Sequence, residues 1–243
     1  YVPDSDQRFV ELAEMVERED WDYRHSTNQR SHPVLFNYIV FTYKRLVEEE
    51  KIAITADAQF LSFNTGLVTD NQEEVYALFD VNRNPGREPW HMIGWFKKSQ
   101  AEMNRFSRLP EMASYFDDPK QLIFDFRKEL RANIDHIIDD NKERFPEPYR
   151  SMSAFALQNF LRGAIESAKV RVRRNYKTAI PQYYEGRVQL LLPLCLSNAQ
   201  IADLALVVDD RGDFYRAATC ITLDMAYNNA RQLAKPDRDW LQP

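Results

Sequence analysis

The C-terminal third of the chain shows the strongest pattern of apolar and polar positions. Two apolar runs, Val188–Leu196 and Ile201–Val208, are followed by Tyr215–Leu223, where apolar and small residues alternate loosely with polar ones. The sequence Asp-Asp-Arg-Gly-Asp at 209–213 is a turn signal between the last two segments. These segments therefore predict an antiparallel hairpin, followed by a helix that leaves the edge of the sheet.

Helices and strands are both predicted in the N-terminal part of the chain. Apolar residues spaced three and four apart predict helices at Phe9–Arg18 and Val34–Glu50. Ser31 is the expected cap of the second helix, and Pro33 lies in its first turn. Strands are predicted over four further segments: Ile52–Thr55, Gln59–Asn64, Val75–Val81 and Met92–Phe96.

The middle of the chain is predicted to be helical. The predicted helices are Gln100–Arg108, a segment from Phe124 to about Asn141, and a longer one from Ser153 to about Tyr176. The longest helix is expected to bury an apolar stripe formed by Phe155, Phe160, Leu161, Ala164, Ile165, Ala168 and Val172.

The order of these elements predicts the fold class. Strands come early and late, with helices between them and at both ends, which favours an α+β fold over regular βαβ winding. We expect a largely antiparallel central sheet with helices packed at both ends and on one face. Since no internal repeat or clear boundary is visible, residues 1–243 are expected to form a single domain. The chain starts with Tyr1 rather than Met, which suggests a domain of a longer protein.

Composition narrows the class of protein. Aromatic residues make up 13% and charged residues 28% of the chain, as expected for an ordered soluble protein. No apolar run approaches the roughly 18 residues of a membrane span, and no leader is visible, so we expect a cytoplasmic protein without membrane contact. The net charge of −5 argues against a protein that coats polyanions, although it allows a local basic pocket.

Both cysteines of the chain, Cys195 and Cys220, fall in predicted strands. The main interpretation is that they are small buried apolar residues in a reducing cytosol. A disulfide between neighbouring strands and a nucleophilic thiol are the alternatives.

Three polar and small residues, Asn64, Thr65 and Gly66, end a predicted strand. A glycine there lets backbone N–H groups approach a phosphate or carboxylate, and the two side chains can add hydrogen bonds. They are therefore candidate substrate-binding residues. The alternative is an ordinary turn that uses Asn and Gly for their backbone freedom. No P-loop lysine or dinucleotide-binding GxGxxG follows.

His136 is the candidate for proton transfer. It lies four residues before Asp140 on a predicted helix, so both side chains face one way. Such a pair can orient a general base or ligate a metal, and the alternative is a charged outer face beside buried isoleucines. No HExxH or CxxC motif is present and the chain has four histidines, so no metal site is expected and the cofactor is left unknown.

The densest basic patch of this acidic chain lies around residues 171–177. Arg171 and Arg174 are candidates to hold phosphate, because arginine forms planar bidentate hydrogen bonds with it. Asn175 and Tyr184 follow and can contact or stack on a base. The alternative is that these cations simply occupy a helix C-terminus, where the helix dipole favours positive charge.

Polar residues repeat on one face of the last predicted helix. Asp224, Asn228 and Arg231 stand at i, i+4 and i+7, with Tyr227 beside them. They can recognise a nucleotide, for which Asn228 and Arg231 are the candidates, or they can hold one another in a structural network.

Four segments together resemble one protein family. They are Asn64–Leu67, Asp135–Pro146, Leu223–Arg231 and Pro236–Leu241. Over most of its length the chain resembles the domain-of-unknown-function family 3825. The resemblance implies a cytoplasmic protein of a kind often joined to small RNA-binding modules, such as cold-shock, S1-like or LOTUS-type domains. It therefore points to RNA or nucleotide metabolism, and it brings no catalytic residue.

These observations leave three functions open. The first is an enzyme that acts on a nucleotide or an RNA end by phosphoester hydrolysis or transfer. The second is a non-catalytic module that binds a nucleotide or RNA terminus and is attached to an RNA-binding partner domain. The third is a structural scaffold for such a neighbour. The residues expected to bind substrate are Asn64, Thr65, Gly66, Arg171, Arg174, Asn175, Tyr184, Asn228 and Arg231.

Overall fold

The computed structural model describes residues 1–24, 30–236 and 240–241. Backbone contacts divide the chain into two compact units, Tyr1–Ser114 and Tyr115–Pro243, called unit 1 and unit 2 below. The single domain expected from the sequence stays a prediction. The α+β class and the largely antiparallel pairing are confirmed, with the strands divided between two sheets.

Helices and strands alternate in blocks along the described residues. The helices are α1 (Ser5–Met15), α2 (Pro33–Glu48), α3 (Ile134–Asn141), α4 (Ala154–Arg174) and α5 (Leu223–Leu233). The strands are β1 (Ala53–Ile54), β2 (Phe60–Val68), β3 (Glu74–Val81), β4 (Trp90–Lys97), β5 (Glu129–Ala132), β6 (Ile180–Tyr184), β7 (Arg187–Leu194), β8 (Leu204–Asp210) and β9 (Phe214–Ile221).

Unit 1 is built on a four-stranded antiparallel sheet in the order β1-β2-β3-β4. Helix α1 packs on β4 and α2 packs on β2, so both helices cover one face of the sheet. The other face is covered by the segment after β4, whose Met103 and Phe106 pack with Tyr76 and Leu78.

Unit 2 is built on a five-stranded sheet in the order β5-β9-β8-β7-β6. Strand β5 pairs parallel with β9, and the other neighbours pair antiparallel. Helices α3 and α4 cover one face, where Ile137, Leu161 and Val172 share a core with Leu192 and Leu206. Helix α5 packs against β6 and β8 on the opposite face. Each face of the sheet therefore has its own helices.

The predicted C-terminal hairpin is confirmed, since β8 and β9 pair antiparallel. The segment from Phe124 to Asn141 is not one helix, because Glu129–Ala132 forms β5 and helix α3 starts only at Ile134. Strand β5 pairs in parallel with β9, which lies far along the chain. Local propensity therefore does not reveal β5. Within Gln100–Arg108 the structure has a short 3-10 helix at Ala101–Arg105.

Two local predictions for helices are wrong. Phe155 is 76% exposed and Phe160 is 46% exposed. A helix turns by about 100° per residue, which carries both rings away from the side that Leu161 buries. The cap of α2 is His32 in a left-handed conformation rather than Ser31.

Candidate nucleic-acid interface

One face of the unit 2 sheet brings exposed arginines and aromatic rings together. Alternate residues of a strand point to opposite faces. Residues that alternate with the buried Leu190, Leu192 and Leu206 therefore point to the face on which α5 packs. In strand order from β6 to β5, the side chains beyond α5 on this face are Tyr184, Arg187, Gln189, Asp209, Phe214, Arg216, Glu129 and Arg131.

Five of these residues define the surface that we call the basic sheet face: Arg131, Tyr184, Arg187, Phe214 and Arg216. All five lie in unit 2, and they come from four different strands. The arrangement therefore depends on the register of the sheet rather than on a local sequence motif.

The hairpin between β6 and β7 fixes the first two positions of this surface. Glu185 and Gly186 have φ values of 48° and 81°, as a two-residue type I′ turn requires. Tyr184 consequently pairs with Arg187 directly across the turn. The Tyr184 side chain is 48% exposed, and the Arg187 Nε lies 3.8 Å from the Asp209 carboxylate. The turn thus places a ring beside a cation at the edge of the sheet.

A bulge in β9 brings Arg216 to the same face. Val207 pairs with Thr219 while Asp209 pairs with Arg216, so β9 holds one extra residue over this stretch. Because of the extra residue, Arg216 rather than Ala217 pairs with Asp209, and its side chain points to the same face of the sheet. Arg216 is exposed, and it forms no hydrogen bond or ion pair with the residues that the structure describes. Its guanidinium group is therefore available to a ligand.

Strand β5 adds a third arginine. Arg131 pairs with Arg216 in the parallel register, and its guanidinium carbon lies 4.2 Å from the centre of the Phe214 ring. Its Nε is 2.7 Å from a carboxylate oxygen of Glu129, and 58% of the side chain remains exposed. The ring and the carboxylate therefore both contact this guanidinium group.

A run of amide hydrogen bonds forms the floor next to the basic sheet face. Asn229 of α5 donates to Gln182 at 3.1 Å, Gln182 donates to Gln189 at 2.8 Å, and Gln189 donates to Asp209 at 2.7 Å. Arg211 donates to the second oxygen of Asp209 at 3.2 Å. Because each glutamine amide accepts on one side and donates on the other, the two glutamine side chains are held in a single orientation.

Tyr184 is the predicted site residue that belongs to the basic sheet face. Arg171 and Arg174 lie in the last turn of α4, and the Asn175 side chain accepts the Lys177 N–H at 3.1 Å. Strand β6 puts roughly 13 Å between its first residue and Tyr184. The two arginines make no hydrogen bond or ion pair within the described part of the chain. Phosphate binding by them stays a prediction.

Asn64, Thr65 and Gly66 lie inside β2 and not at the end of a strand, which corrects their predicted placement. The strand continues to Val68 through a bulge at these residues. The Gly66 N–H donates to Asn64 Oδ1 at 2.9 Å, and Thr65 Oγ1 donates to the Val75 carbonyl at 2.6 Å. These internal bonds explain the three residues as a strand bulge in unit 1. Ligand binding by them stays a prediction.

His136 and Asp140 lie side by side on α3, with Nδ1 3.1 Å from a carboxylate oxygen and both side chains about half exposed. Helix α3 packs on the core face, so this pair lies on the opposite side of the sheet from the basic sheet face. Within the described ranges, no group of three or more His, Cys, Asp or Glu side chains is placed to hold a metal ion. Proton transfer by His136 stays a prediction.

The polar side of α5 is largely buried. Asp224 and Arg231 are buried and Asn228 is half-buried. Asn229, which reaches the sheet floor, points about 100° away from Asn228 around the helix. Helices α4 and α5 cover opposite faces of the sheet. Nucleotide recognition by Asn228 and Arg231 stays a prediction.

Both cysteines are free thiols in protected positions. Burial raises the pKa of the Cys195 thiol, although the charge of Arg171 opposes this effect. Burial also raises the pKa of Cys220 to about 12. Both thiols are therefore protonated near neutral pH, which favours the interpretation of small apolar residues over that of a nucleophile.

Sequence reasoning missed Arg131, Arg187 and Arg216. The available signal was an alternation of period two. Arg187 stands two residues before Gln189, and Arg216 stands two residues after Phe214. The strands that carry Arg131 and Tyr184, β5 and β6, are short and were not predicted, and the bulge in β9 shifts the phase of Arg216.

These features define an α+β protein whose second unit presents an open sheet face of arginines and aromatic rings. The family model for the domain of unknown function DUF3825 matches residues 12–240, and the chain therefore belongs to this family. No curated protein and no solved structure matches the chain. Among the described residues, each helix is too short or too polar to cross a membrane.

Proposed function

We propose that unit 2 binds a nucleotide or the end of a single-stranded RNA on the basic sheet face, as a binding module. The observation that carries this proposal is the placement of exposed arginines beside aromatic rings on neighbouring strands. Unpaired bases stack on aromatic rings and guanidinium planes, and arginine binds phosphate through paired hydrogen bonds. Tyr184 supplies an exposed ring, the Arg131 guanidinium over the Phe214 ring supplies a second stacking platform, and Arg187 and Arg216 supply the cations.

The spacing of the two rings favours an oligonucleotide over a mononucleotide. Tyr184 is on β6 and Phe214 is on β9, three strand spacings apart, or roughly 14 Å. One base can stack on one ring, whereas a strand of several nucleotides can engage both and pass Arg216 on β9. We therefore expect affinity to rise from a mononucleotide to a short single-stranded RNA.

Fluorescence anisotropy with labelled short RNAs tests the proposal. Tyr184→Ala is expected to weaken binding by about 1–3 kcal/mol, since it removes one stacking platform. Arg216→Ala is expected to weaken it by roughly tenfold, since it removes a charged hydrogen-bond donor. A double-stranded RNA of the same sequence is expected to bind more weakly, because its bases are not free to stack.

Two exposed residues elsewhere in unit 2 are matched controls. Tyr176 is 64% exposed in the 3-10 helix after α4, and Arg162 is exposed on α4, on the other side of the sheet. Tyr176→Ala and Arg162→Ala should leave the affinity within about twofold. If both controls weaken binding as much as the sheet variants do, binding does not take place on the basic sheet face.

The same assay separates this site from the helix-end site that the sequence predicts. Loss of binding in Arg171→Ala and Arg174→Ala, with Arg216→Ala unaffected, would move the ligand to the end of α4. In that case the basic sheet face is the wrong surface, although RNA or nucleotide binding itself would remain.

We further propose that the protein hydrolyses or transfers a phosphoester. His136, oriented by Asp140, is the candidate for proton transfer in this reaction. An RNA end labelled at either terminus reports it directly. Turnover that is lost in His136→Ala but retained in Arg216→Ala would establish an enzyme with a substrate site away from the basic sheet face. A cytoplasmic setting, with an RNA-binding neighbour domain in a longer chain, fits either outcome.

A further inference from the structure

Unit 1 contains a cavity that the proposed RNA-binding surface does not use. It has a volume of about 510 Å³ and lies between α1, α2 and the sheet face that these helices cover. Small-molecule sites typically have volumes of roughly 300–1,000 Å³ and mostly apolar walls. This cavity therefore has the size of a ligand site.

The walls of the cavity are aromatic and held in place by one another. Phe63 and Phe79 of the sheet are stacked with their ring centres 6.0 Å apart, and Tyr43 of α2 meets Phe63 at 5.3 Å. Phe9 of α1 packs edge-on against Trp95 at 5.8 Å. Rings that lock one another leave a preformed apolar space rather than one that must open.

Tyr43 and Lys44 of α2 are among the residues that line this apolar space, and each carries a hydrogen-bond donor at the end of its side chain. The hydroxyl forms no hydrogen bond, and the ammonium no ion pair, within the described part of the chain. Lys44 Nζ lies 5.5 Å from the centre of the Phe41 ring. Two donors next to an apolar cavity match a ligand that carries an anionic oxygen at one end.

We infer that the cavity binds an elongated apolar molecule with a single anionic head group, such as a fatty acid. The apolar chain lies between the aromatic walls, and the head group accepts hydrogen bonds from Tyr43 and Lys44. Glu88 also lies at the cavity, on the segment before β4, and disfavours an anion at that side. The head group is therefore placed at α2.

Three ligands with the same ten-carbon tail test the inference: decanoate, decanol and decylammonium. Trp90 and Trp95 line the cavity, so tryptophan fluorescence reports occupancy. We expect saturable binding with one site per chain, in the order decanoate, decanol, decylammonium. In the series octanoate, decanoate and dodecanoate, each added methylene should strengthen binding roughly fourfold.

Conservative variants test the two donors and the cavity separately. Lys44→Met and Tyr43→Phe should each weaken decanoate by roughly three- to tenfold and leave decanol unchanged. Lys120→Met, which removes an exposed lysine of unit 2, is the matched control for charge. Val40→Trp places a larger side chain in the cavity and should weaken all three ligands.

Two results would overturn the inference. One is equal affinity for the three head groups together with no effect of Lys44→Met or Tyr43→Phe. The other is full binding in a folded Val40→Trp protein, which would show that the ligands adsorb elsewhere. Should Val40→Trp fail to fold, Lys44→Met and Tyr43→Phe still test the inference. Each of these two variants nearly keeps the size of its side chain and is therefore expected to fold.

Discussion

Gly66 shows how a single residue is fixed by a neighbouring side chain. Its φ of +72° is left-handed, and a Cβ there would lie 2.6 Å from the Tyr38 hydroxyl, which donates to the Thr65 carbonyl at 2.9 Å. Gly66→Ala is therefore expected to lower the free energy of unfolding by about 2–3 kcal/mol. Left-handed strain contributes about 1–2 kcal/mol, and the disturbed hydrogen bond contributes about 1 kcal/mol. Urea unfolding measures the loss.

Gly212→Ala is the matched control for this prediction. Gly212 has a φ of +84°, but a Cβ there would meet nothing within 4 Å. The free energy of unfolding of this variant should therefore fall only by the cost of left-handed strain, about 1–2 kcal/mol. The difference between the two variants isolates the contact with Tyr38. Equal losses would show that this contact is not what requires glycine at position 66.

Glu74 makes the stability of unit 1 depend on pH. Its carboxylate accepts hydrogen bonds from Lys98 at 2.9 Å, Asn64 at 3.1 Å and Tyr76 at 3.2 Å. The bond from Lys98 holds the pKa of Glu74 below the ordinary 4.5, against the opposite effect of burial. Folding therefore favours the ionised form. The resulting stabilisation is present above about pH 4.5 and is lost as the pH falls through the lowered pKa.

Glu74→Gln is expected to reduce the loss of stability as the pH falls below about 4.5, since the variant has no carboxylate to take up a proton there. Urea midpoints measured across that range give the slope for the variant and for the unchanged protein. Glu14→Gln, an exposed position on α1, is the control and should leave the slope as it is. A variant slope equal to that of the unchanged protein would remove Glu74 from the acid response.

At the residue scale the sequence identifies unusual positions better than it explains them. Asn64, Thr65 and Gly66 are residue types that favour irregular backbone, and the backbone is irregular there. The strand continues through these residues because β2 keeps pairing with β3, to whose Val75 carbonyl the Thr65 hydroxyl donates. Arg216 is a similar case, since the bulge that turns it outward follows from pairing with β8. A local sequence pattern contains no information about which distant residues pair.

Helix α4 contains a glycine that its surroundings do not require. Gly163 lies in the helix interior, and a Cβ there would meet nothing within 4 Å. Alanine fixes the helical backbone at a lower entropic cost, so Gly163→Ala should raise the free energy of unfolding by about 1 kcal/mol. Thermal unfolding of the two proteins checks this. A variant with unchanged or lower stability would mean that α4 needs the freedom of glycine at this position.

At the scale of elements, long and strongly apolar segments could be predicted and short paired ones could not. Strands β7 and β8 and helix α4 are apolar over enough residues to be recognised. Strand β6 has the sequence Ile-Pro-Gln-Tyr-Tyr, in which Pro181 disfavours a strand away from a sheet edge, and β6 is an edge strand. Strand β5 has only four residues, two of them charged. Both of the missed strands carry residues of the basic sheet face.

The charge of the whole molecule and the charge of the proposed interface have opposite signs. The chain has a net charge of −5, whereas the basic sheet face carries Arg131, Arg187 and Arg216 beside the carboxylates of Glu129 and Asp209. Composition alone therefore argues against a protein that coats nucleic acid, but it does not locate a few arginines on one face. A nucleic acid can be attracted only locally, and few of its phosphates can be neutralised.

This limit leads to a prediction for the salt dependence of RNA binding. Each neutralised phosphate of a single strand contributes about −0.7 to the slope of log K against log salt, so three arginines give a slope of about −2. Arg216→Ala should bring the slope to about −1.4, whereas Tyr184→Ala should lower affinity at every salt concentration and keep the slope. Anisotropy titrations between about 50 and 200 mM salt measure both. A slope near −5 would instead require more cations than the basic sheet face carries, and would show that the RNA also contacts cations outside this surface.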